Sequence, residues 1–209
     1  MAKVAIIDYG VGNLRSVEKA FAANGHEAVV TNDKAELRNA AKLVLPGVGA
    51  FAACMNAFRE CGLVDVVLDR VHMGVPLLGV CVGMQMLFEE SDEFGRTEGL
   101  GLLQGPVRRF SNDLVVPHVG WNQIRQRRDH WLFDGVADNS FCYFVHSYFC
   151  EPEQDAVVIG ETEYGVRYAS VVAQGNICGV QFHPEKSQNA GLKMLANFAN
   201  QGPTPFSSS

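Results

Sequence analysis

Basic residues are in short supply. Lys and Arg total 17 against 23 Asp and Glu, giving a net charge of -6 and a pI near 5.5. That sign argues against a nucleic-acid partner, whose binding rests on neutralising phosphates with a basic surface. The one dense basic run, Arg125, Arg127 and Arg128, is expected to be a solvated face. The 6 cysteines (54, 61, 81, 142, 150, 178) include no C-x-x-C pair and lack the dense spacing of a stapled secreted scaffold. A reducing, cytoplasmic setting is the expectation. No apolar run is long enough to span a bilayer, and Met1-Ala2-Lys3 leads straight into a strand pattern without a signal-peptide core, so no membrane association is expected. Neither H-E-x-x-H nor Cys/His ligand spacing occurs, which leaves no metal motif. Gly10-x-Gly12 lacks the third glycine of a dinucleotide fingerprint, since that position holds Arg15. No cofactor is therefore expected.

What the chain does have is apolar material for one large core: 47% of its 209 residues are hydrophobic. A single domain is expected over residues 1–201, with a flexible tail over 202–209, where Gly, Pro and Ser dominate. Lys3–Asp8 is an apolar run suited to a strand buried on both faces. Leu14, Val17, Ala20 and Phe21 recur at helical spacing up to Asn24-Gly25, and Glu27–Val30 and Leu43–Leu45 supply further strands. Helical material follows from Phe51 to Met73, broken near Cys61-Gly62. This alternation predicts an α/β fold, a three-layer domain with a central, mostly parallel sheet and functional loops at its carboxyl edge. From Pro106 onward the texture changes to short β-like runs, so antiparallel strands are expected in the second half, with a hairpin turn at Gly175-Asn176. Asn189–Asn200 reads as a closing helix.

Val75–Val80 is a short apolar strand running into Gly79-Val80-Cys81-Val82-Gly83, the cysteine form of a nucleophile elbow, with a helix expected to reach about Phe88. Its two glycines let backbone crowd the turn, so Cys81 should project from it. At a helix start the sulfur would feel the positive end of the backbone dipoles, which favours thiolate. Such a nucleophile needs a base, and the base needs an orienting acceptor. Gln181-Phe182-His183-Pro184-Glu185 ends an apolar strand and offers both. In extended backbone, side chains at i and i+2 share a face, which would set His183 beside Glu185. Gln85, at i+4 from Cys81, should face the same side. Pro46-Gly47-Val48-Gly49, at the end of another strand, has the permissive backbone needed where main-chain N–H groups point at a ligand.

Gly79–Gln85 and Gln181–Ser187 together resemble the class I glutamine amidotransferases, over nearly the whole chain. Pro46–Phe51, Pro117–Asn122, Asp8–Asn13 and Phe144–Tyr148 resemble the branch of that family acting as the glutaminase subunit of imidazole glycerol phosphate synthase. Val82 departs from the leucine usual there, at a position where the backbone N–H matters. The resemblance implies attack of Cys81 on the side-chain amide of L-glutamine, with His183 moving the proton and Glu185 fixing the imidazole. It implies oxyanion donors from Val82 and from the Val48-Gly49 peptide beside Gly47, and a substrate cradle of Gly47, Gln85, Glu93, Ser147 and Tyr148. It implies a β/α-barrel cyclase partner in a heterodimer, for which Asn13, Trp121 and Asn122 are interface candidates. It also implies weak activity until that partner carries its ligand, a switch that rotation of the Val48-Gly49 peptide could supply. A glutaminase for another pathway, a stand-alone γ-glutamyl hydrolase and an interaction domain with a relic site are the alternatives.

Overall fold

A computed structural model describes residues 3–202; nearly all of the expected tail lies outside them. The first half follows the predicted alternation. Strand β1 (Val4–Ile7) leads to helix α1 (Leu14–Ala23), β2 (Ala28–Thr31), α2 (Lys34–Asn39), β3 (Lys42–Gly47), α3 (Phe51–Glu60), α4 (Val64–His72) and β4 (Leu77–Cys81). Every residue of β1, β3 and β4 is buried, as strands covered on both faces must be. Short α2, with only Leu37 buried, was not expected. Its signal is local: the Asp33 carboxylate accepts from the N–H groups of Ala35 at 2.6 Å and Glu36 at 3.3 Å, capping the helix.

After β4 the chain turns into α5 (Val82–Gln85), which stops three residues short of the expected end at Phe88. The neighbouring loop explains the stop. The N–H groups of Leu100, Gly101 and Leu102 donate to the carbonyls of Met86, Phe88 and Leu87, so those oxygens are satisfied without a continuing helix. The stretch expected as one long loop, Glu89 to Gly105, also contains the two-residue strands β5 (Glu90–Ser91) and β6 (Thr97–Glu98).

The second half adds β7 (Pro106–Arg109), β8 (His118–Gln126), β9 (Ser140–His146), β10 (Tyr148–Cys150), β11 (Val158–Tyr164), β12 (Val166–Gln174), β13 (Ile177–Val180) and the closing helix α6 (Gln188–Asn200). One sheet runs β2-β1-β3-β4-β13-β12-β10-β7-β5-β6, and β11 branches from β12 to carry the β8–β9 ribbon. The five strands from β2 to β13 are mutually parallel, while β12 pairs antiparallel with β13, β10 and β11. The predicted hairpin joins β12 to β13, yet β13 then lies parallel to the elbow strand β4. Its register sets Val180 beside Val80, while on the other flank Gly47 pairs with Cys81. The ends of β3, β4 and β13 therefore meet at one carboxyl edge, the place where open α/β sheets bind ligands.

The basic run behaves as a folded surface network: Arg125 pairs with Glu161 at 2.7 Å, and Arg127 and Arg128 with Asp155 at 2.6 and 3.0 Å. No helix among the described residues is long and apolar enough to cross a membrane.

Candidate active site

The elbow is built by close approach. A Cβ on Gly83 would sit 1.9 Å from the Leu45 carbonyl oxygen, and one on Gly79 2.7 Å from the Gly83 oxygen. Gly47, across from Cys81, has Gly83 N in the place of its missing Cβ, at 2.6 Å. Three glycines thus let α5 lie directly on β3 and β4, with no side chain between. Cys81 takes the strain of the turn, with φ 56° and ψ -115°, a conformation rare for a residue bearing a Cβ. Its side chain is nearly buried and lines a cavity of about 500 Å³, a volume in the range of small-ligand sites.

His183 enters the same cavity from the end of β13. Its Nδ1 lies 3.0 Å from Glu185 Oε1. The pair is brought together by a single 3-10 turn, Pro184–Lys186, rather than by the extended backbone expected. Because a carboxylate only accepts, Nδ1 carries the hydrogen, and Nε2 is left for Cys81. Burial works against a charged ring here, but hydrogen bonds to Cys81 and Glu185, with the attraction of both, outweigh it and raise His183 to about 10. Burial likewise opposes the Glu185 carboxylate, and the bond from His183, with a weaker one from Asn13, still holds it below its ordinary range. Asn13, an interface candidate from the sequence, lines the cavity and donates from Nδ2 to Glu185 Oε1 at 3.0 Å.

The backbone of His183 is tied as firmly as its ring. Its N–H donates to the Tyr143 carbonyl at 2.9 Å, the Ser187 hydroxyl donates to its carbonyl at 2.6 Å, and the Tyr143 N–H donates to that hydroxyl at 3.0 Å. None of these contacts has a signal in the sequence, because β9 and the turn are about 40 residues apart. A second histidine, His146, also lines the cavity. Burial, which outweighs its bond to the Tyr148 carbonyl, drives it down to about 3, so it stays neutral. Its Nδ1 gives a hydrogen to that carbonyl at 2.8 Å, and its Nε2 lies 3.2 Å from the Tyr168 hydroxyl and 3.4 Å from His118 Nδ1.

The other expected residues divide. Val48, Gly49, Val82, Gln85, Glu93, Ser147 and Tyr148 all line the cavity. Gln85 is nearly buried, and its Nε2 donates to the Tyr148 carbonyl at 3.0 Å and to Gln181 Oε1 at 3.2 Å, bridging α5 to β10. Glu93 Oε2 accepts from the Phe51 N–H at 2.6 Å, at the start of α3. Gly47 sits in β3 behind the cavity, and Glu185 stands behind His183 with its side chain almost fully covered. Trp121 and Asn122 lie outside the cavity, on β8. Trp121 is 46% exposed, which excludes a core role, and Asn122 donates to the Glu163 carbonyl at 2.9 Å. Among the described residues no cluster of His, Cys, Asp or Glu is arranged to hold a metal ion.

Solved structures repeat this fold. One described as a glutamine amidotransferase superposes with a TM-score of 0.75 at 23% identity, covering 95% of this chain and 99% of that one. The structure of PurLQS from Thermotoga maritima gives 0.74 at 18% identity, covering 95% and 97%. Sequence relatives are nearer. A protein of Moorella thermoacetica named imidazole glycerol phosphate synthase subunit HisH is 48% identical over 198 residues, 95% of this chain and 94% of its own. One of the same name from Aromatoleum aromaticum is 50% identical over 97% of this chain and all of its own. Residues 5–201 match the family described as glutamine amidotransferase class-I, and to that family the chain belongs.

Proposed function

We propose that this chain is the glutaminase subunit of an imidazole glycerol phosphate synthase, releasing ammonia from L-glutamine for a cyclase subunit. The observation that carries the reading is the meeting of Cys81 and His183 in one cavity, with Glu185 3.0 Å behind the imidazole. The names of the relatives, at 48% and 50% identity over nearly full length, supply the pathway.

The geometry supports the following sequence of steps. His183 Nε2 takes the thiol proton, and the Cys81 sulfur attacks the amide carbon, forming a C–S bond as the carbonyl π pair moves onto oxygen. The N–H of Val82, at the head of α5, and one from the Val48-Gly49 peptide meet that oxyanion; each donor lowers the barrier by about 3 kcal/mol. Collapse breaks the C–N bond as His183 returns its proton to nitrogen, and ammonia leaves a thioester. A water, deprotonated by the same imidazole, then cleaves the thioester to glutamate. Glu93 suits the substrate ammonium by charge, while Gln85, Ser147 and Tyr148 surround the amino-acid end.

The partner reading rests on the β8–β9 ribbon. Val119 pairs with Val145, Trp121 with Tyr143 and Gln123 with Phe141. Alternation puts these on one face, and on it Val119, Trp121, Phe141 and Val145 are exposed by 57%, 46%, 56% and 37%. Exposed aromatic and aliphatic side chains in one patch mark a protein contact. Val145 also lines the cavity, so a subunit docked there would adjoin the mouth from which ammonia leaves.

The test is ammonia release from glutamine by the chain alone and with a cyclase subunit and its nucleotide. Activity that rises on adding both supports the subunit; full activity alone would favour a stand-alone γ-glutamyl hydrolase. Cys81→Ala should cost at least about 10⁴-fold in glutamine-dependent synthesis and leave ammonia-dependent synthesis by the partner intact.

A further inference from the structure

Gln85 lines the cavity, and one of the two groups that hold it lies outside the lining. Gln181, fully buried, follows directly on β13 and stands two positions before His183. Its N–H donates to the Ser170 carbonyl at 2.9 Å, which fixes the backbone that carries it to β12. Its side-chain Oε1 accepts from Gln85 Nε2 at 3.2 Å, while the Tyr148 carbonyl accepts from the same nitrogen at 3.0 Å.

These partners settle which end of each amide is which. A backbone carbonyl has no hydrogen to give, so the Gln85 atom that meets Tyr148 is nitrogen, and Gln181 then turns oxygen toward it. An amide nitrogen carries two hydrogens, and the two acceptors use both. Gln85 Oε1 remains, with no donor to it among the described residues. The buried side-chain atoms left without a partner include Gln181 Nε2 and Ser170 Oγ but not this oxygen. Its free valence therefore opens on the cavity that Gln85 lines, where an acceptor suits the N–H donors of a ligand and not its carboxylate. Without the Gln181 acceptor one buried hydrogen would be orphaned, and the amide could tilt about the bond to Tyr148 that is left. Turning the amide over would set oxygen against a carbonyl oxygen. Of Gln181 itself only the oxygen is engaged, since Nε2 has no partner.

We propose that Gln181 is a positioning residue for substrate binding, holding the Gln85 amide so that its oxygen meets the ammonium end of the amino-acid substrate. This rests on the glutaminase reading above. The test measures glutamine hydrolysis by the full chain with the cyclase subunit and its nucleotide, for the wild type, Gln181→Met, Gln181→Glu, Gln85→Met and the double variant Gln85→Met/Gln181→Met. Alkylation of Cys81 by iodoacetamide is followed in each by mass spectrometry of its peptide. Methionine fills the space of Gln181 without a carbonyl oxygen. Burial keeps a glutamic acid protonated there, so it retains an acceptor, and its hydroxyl replaces an amide nitrogen that has no partner. Gln181→Met should raise KM for glutamine about 5-fold, with kcat and the Cys81 alkylation rate within about two-fold of wild type. Gln181→Glu should keep KM within about two-fold of wild type. Adding Gln181→Met to Gln85→Met should raise KM no further, because the group through which Gln181 acts is already gone. Unaltered KM in Gln181→Met would overturn the assignment, as would effects that multiply in the double variant. A Gln181→Glu enzyme as impaired as Gln181→Met would also overturn it, because packing and not the acceptor would then matter. So would a fall in kcat as large as the rise in KM, which would place the damage at His183, two residues along. If Gln181→Met does not fold, Gln181→Leu takes its place under the same criteria. Wild-type chain that releases no ammonia from glutamine under any of these conditions would instead remove the glutaminase reading itself.

Discussion

Cys81 and His183 reach one cavity by different means. Around Cys81 the backbone sets the geometry, through three glycines at which any Cβ would strike main-chain atoms of a neighbouring element. Around His183 side chains set it: Ser187 ties the backbone, Glu185 holds the ring, and Asn13 steadies the carboxylate. Backbone contacts are shared with the core, so disturbing them should be felt as stability. Side-chain ties are local, and disturbing them should be felt as chemistry.

Glu185→Gln probes the side-chain arm most severely. The loss concerns proton transfer, and glutamine hydrolysis should fall by about 10³ to 10⁴-fold while the fold remains cooperative. The same variant should alter stability in a defined pH window. Folded His183 titrates near 10 against about 6.5 when unfolded, so its contribution is full below about 6.5 and is lost as pH rises through 10. Glu185, held below its ordinary range, contributes above the unfolded carboxylate value and loses that contribution as pH falls through the folded one. Denaturation midpoints measured from pH 6 to 10 should decline in the wild type and be flatter in Glu185→Gln. A wild-type midpoint constant over that interval would contradict the raised imidazole.

Gly83→Ala tests the other side. A Cβ 1.9 Å from the Leu45 oxygen forces the elbow off β3, at a cost of about 3 kcal/mol, equivalent to about 150-fold in the folding equilibrium. Urea denaturation reads it directly. A Gly83→Ala protein as stable as wild type, beside a Glu185→Gln protein that fails to fold, would invert the contrast between the two regions. The mildest change is Asn13→Ala, which removes one of two donors to Glu185 Oε1 and leaves the ring contact in place. It should reduce kcat by about 10-fold and lower the His183 titration, followed by NMR of the imidazole. An unchanged titration would make Asn13 irrelevant to the His183–Glu185 pair.

How much of this was legible in advance differs between the regions for the same reason. The elbow is written in consecutive residues, so G-x-C-x-G located Cys81 and its turn without help. The pairing of His183 with Glu185 was also readable, though the backbone joining them is a 3-10 turn and not a strand. Asn13 carries no such mark. It lies 172 positions from Glu185, and an asparagine after Gly-Val-Gly looks like any turn residue. The ties from Tyr143 and Ser187 and the bond between Gln85 and Gln181, 96 positions apart, were equally silent.

Local pattern picked out the candidate side chains and which elements they end: buried strands, glycine-flanked turns and capped helices are properties of neighbouring residues, whose conformational limits act before any long-range contact forms. Tertiary structure alone decided that β13 lies parallel to β4 with Val180 beside Val80, and Gly47 beside Cys81. Sheet order and register come from packing faces and crossovers between distant segments, and they bring His183, 102 residues further along the chain, to the edge that holds Cys81.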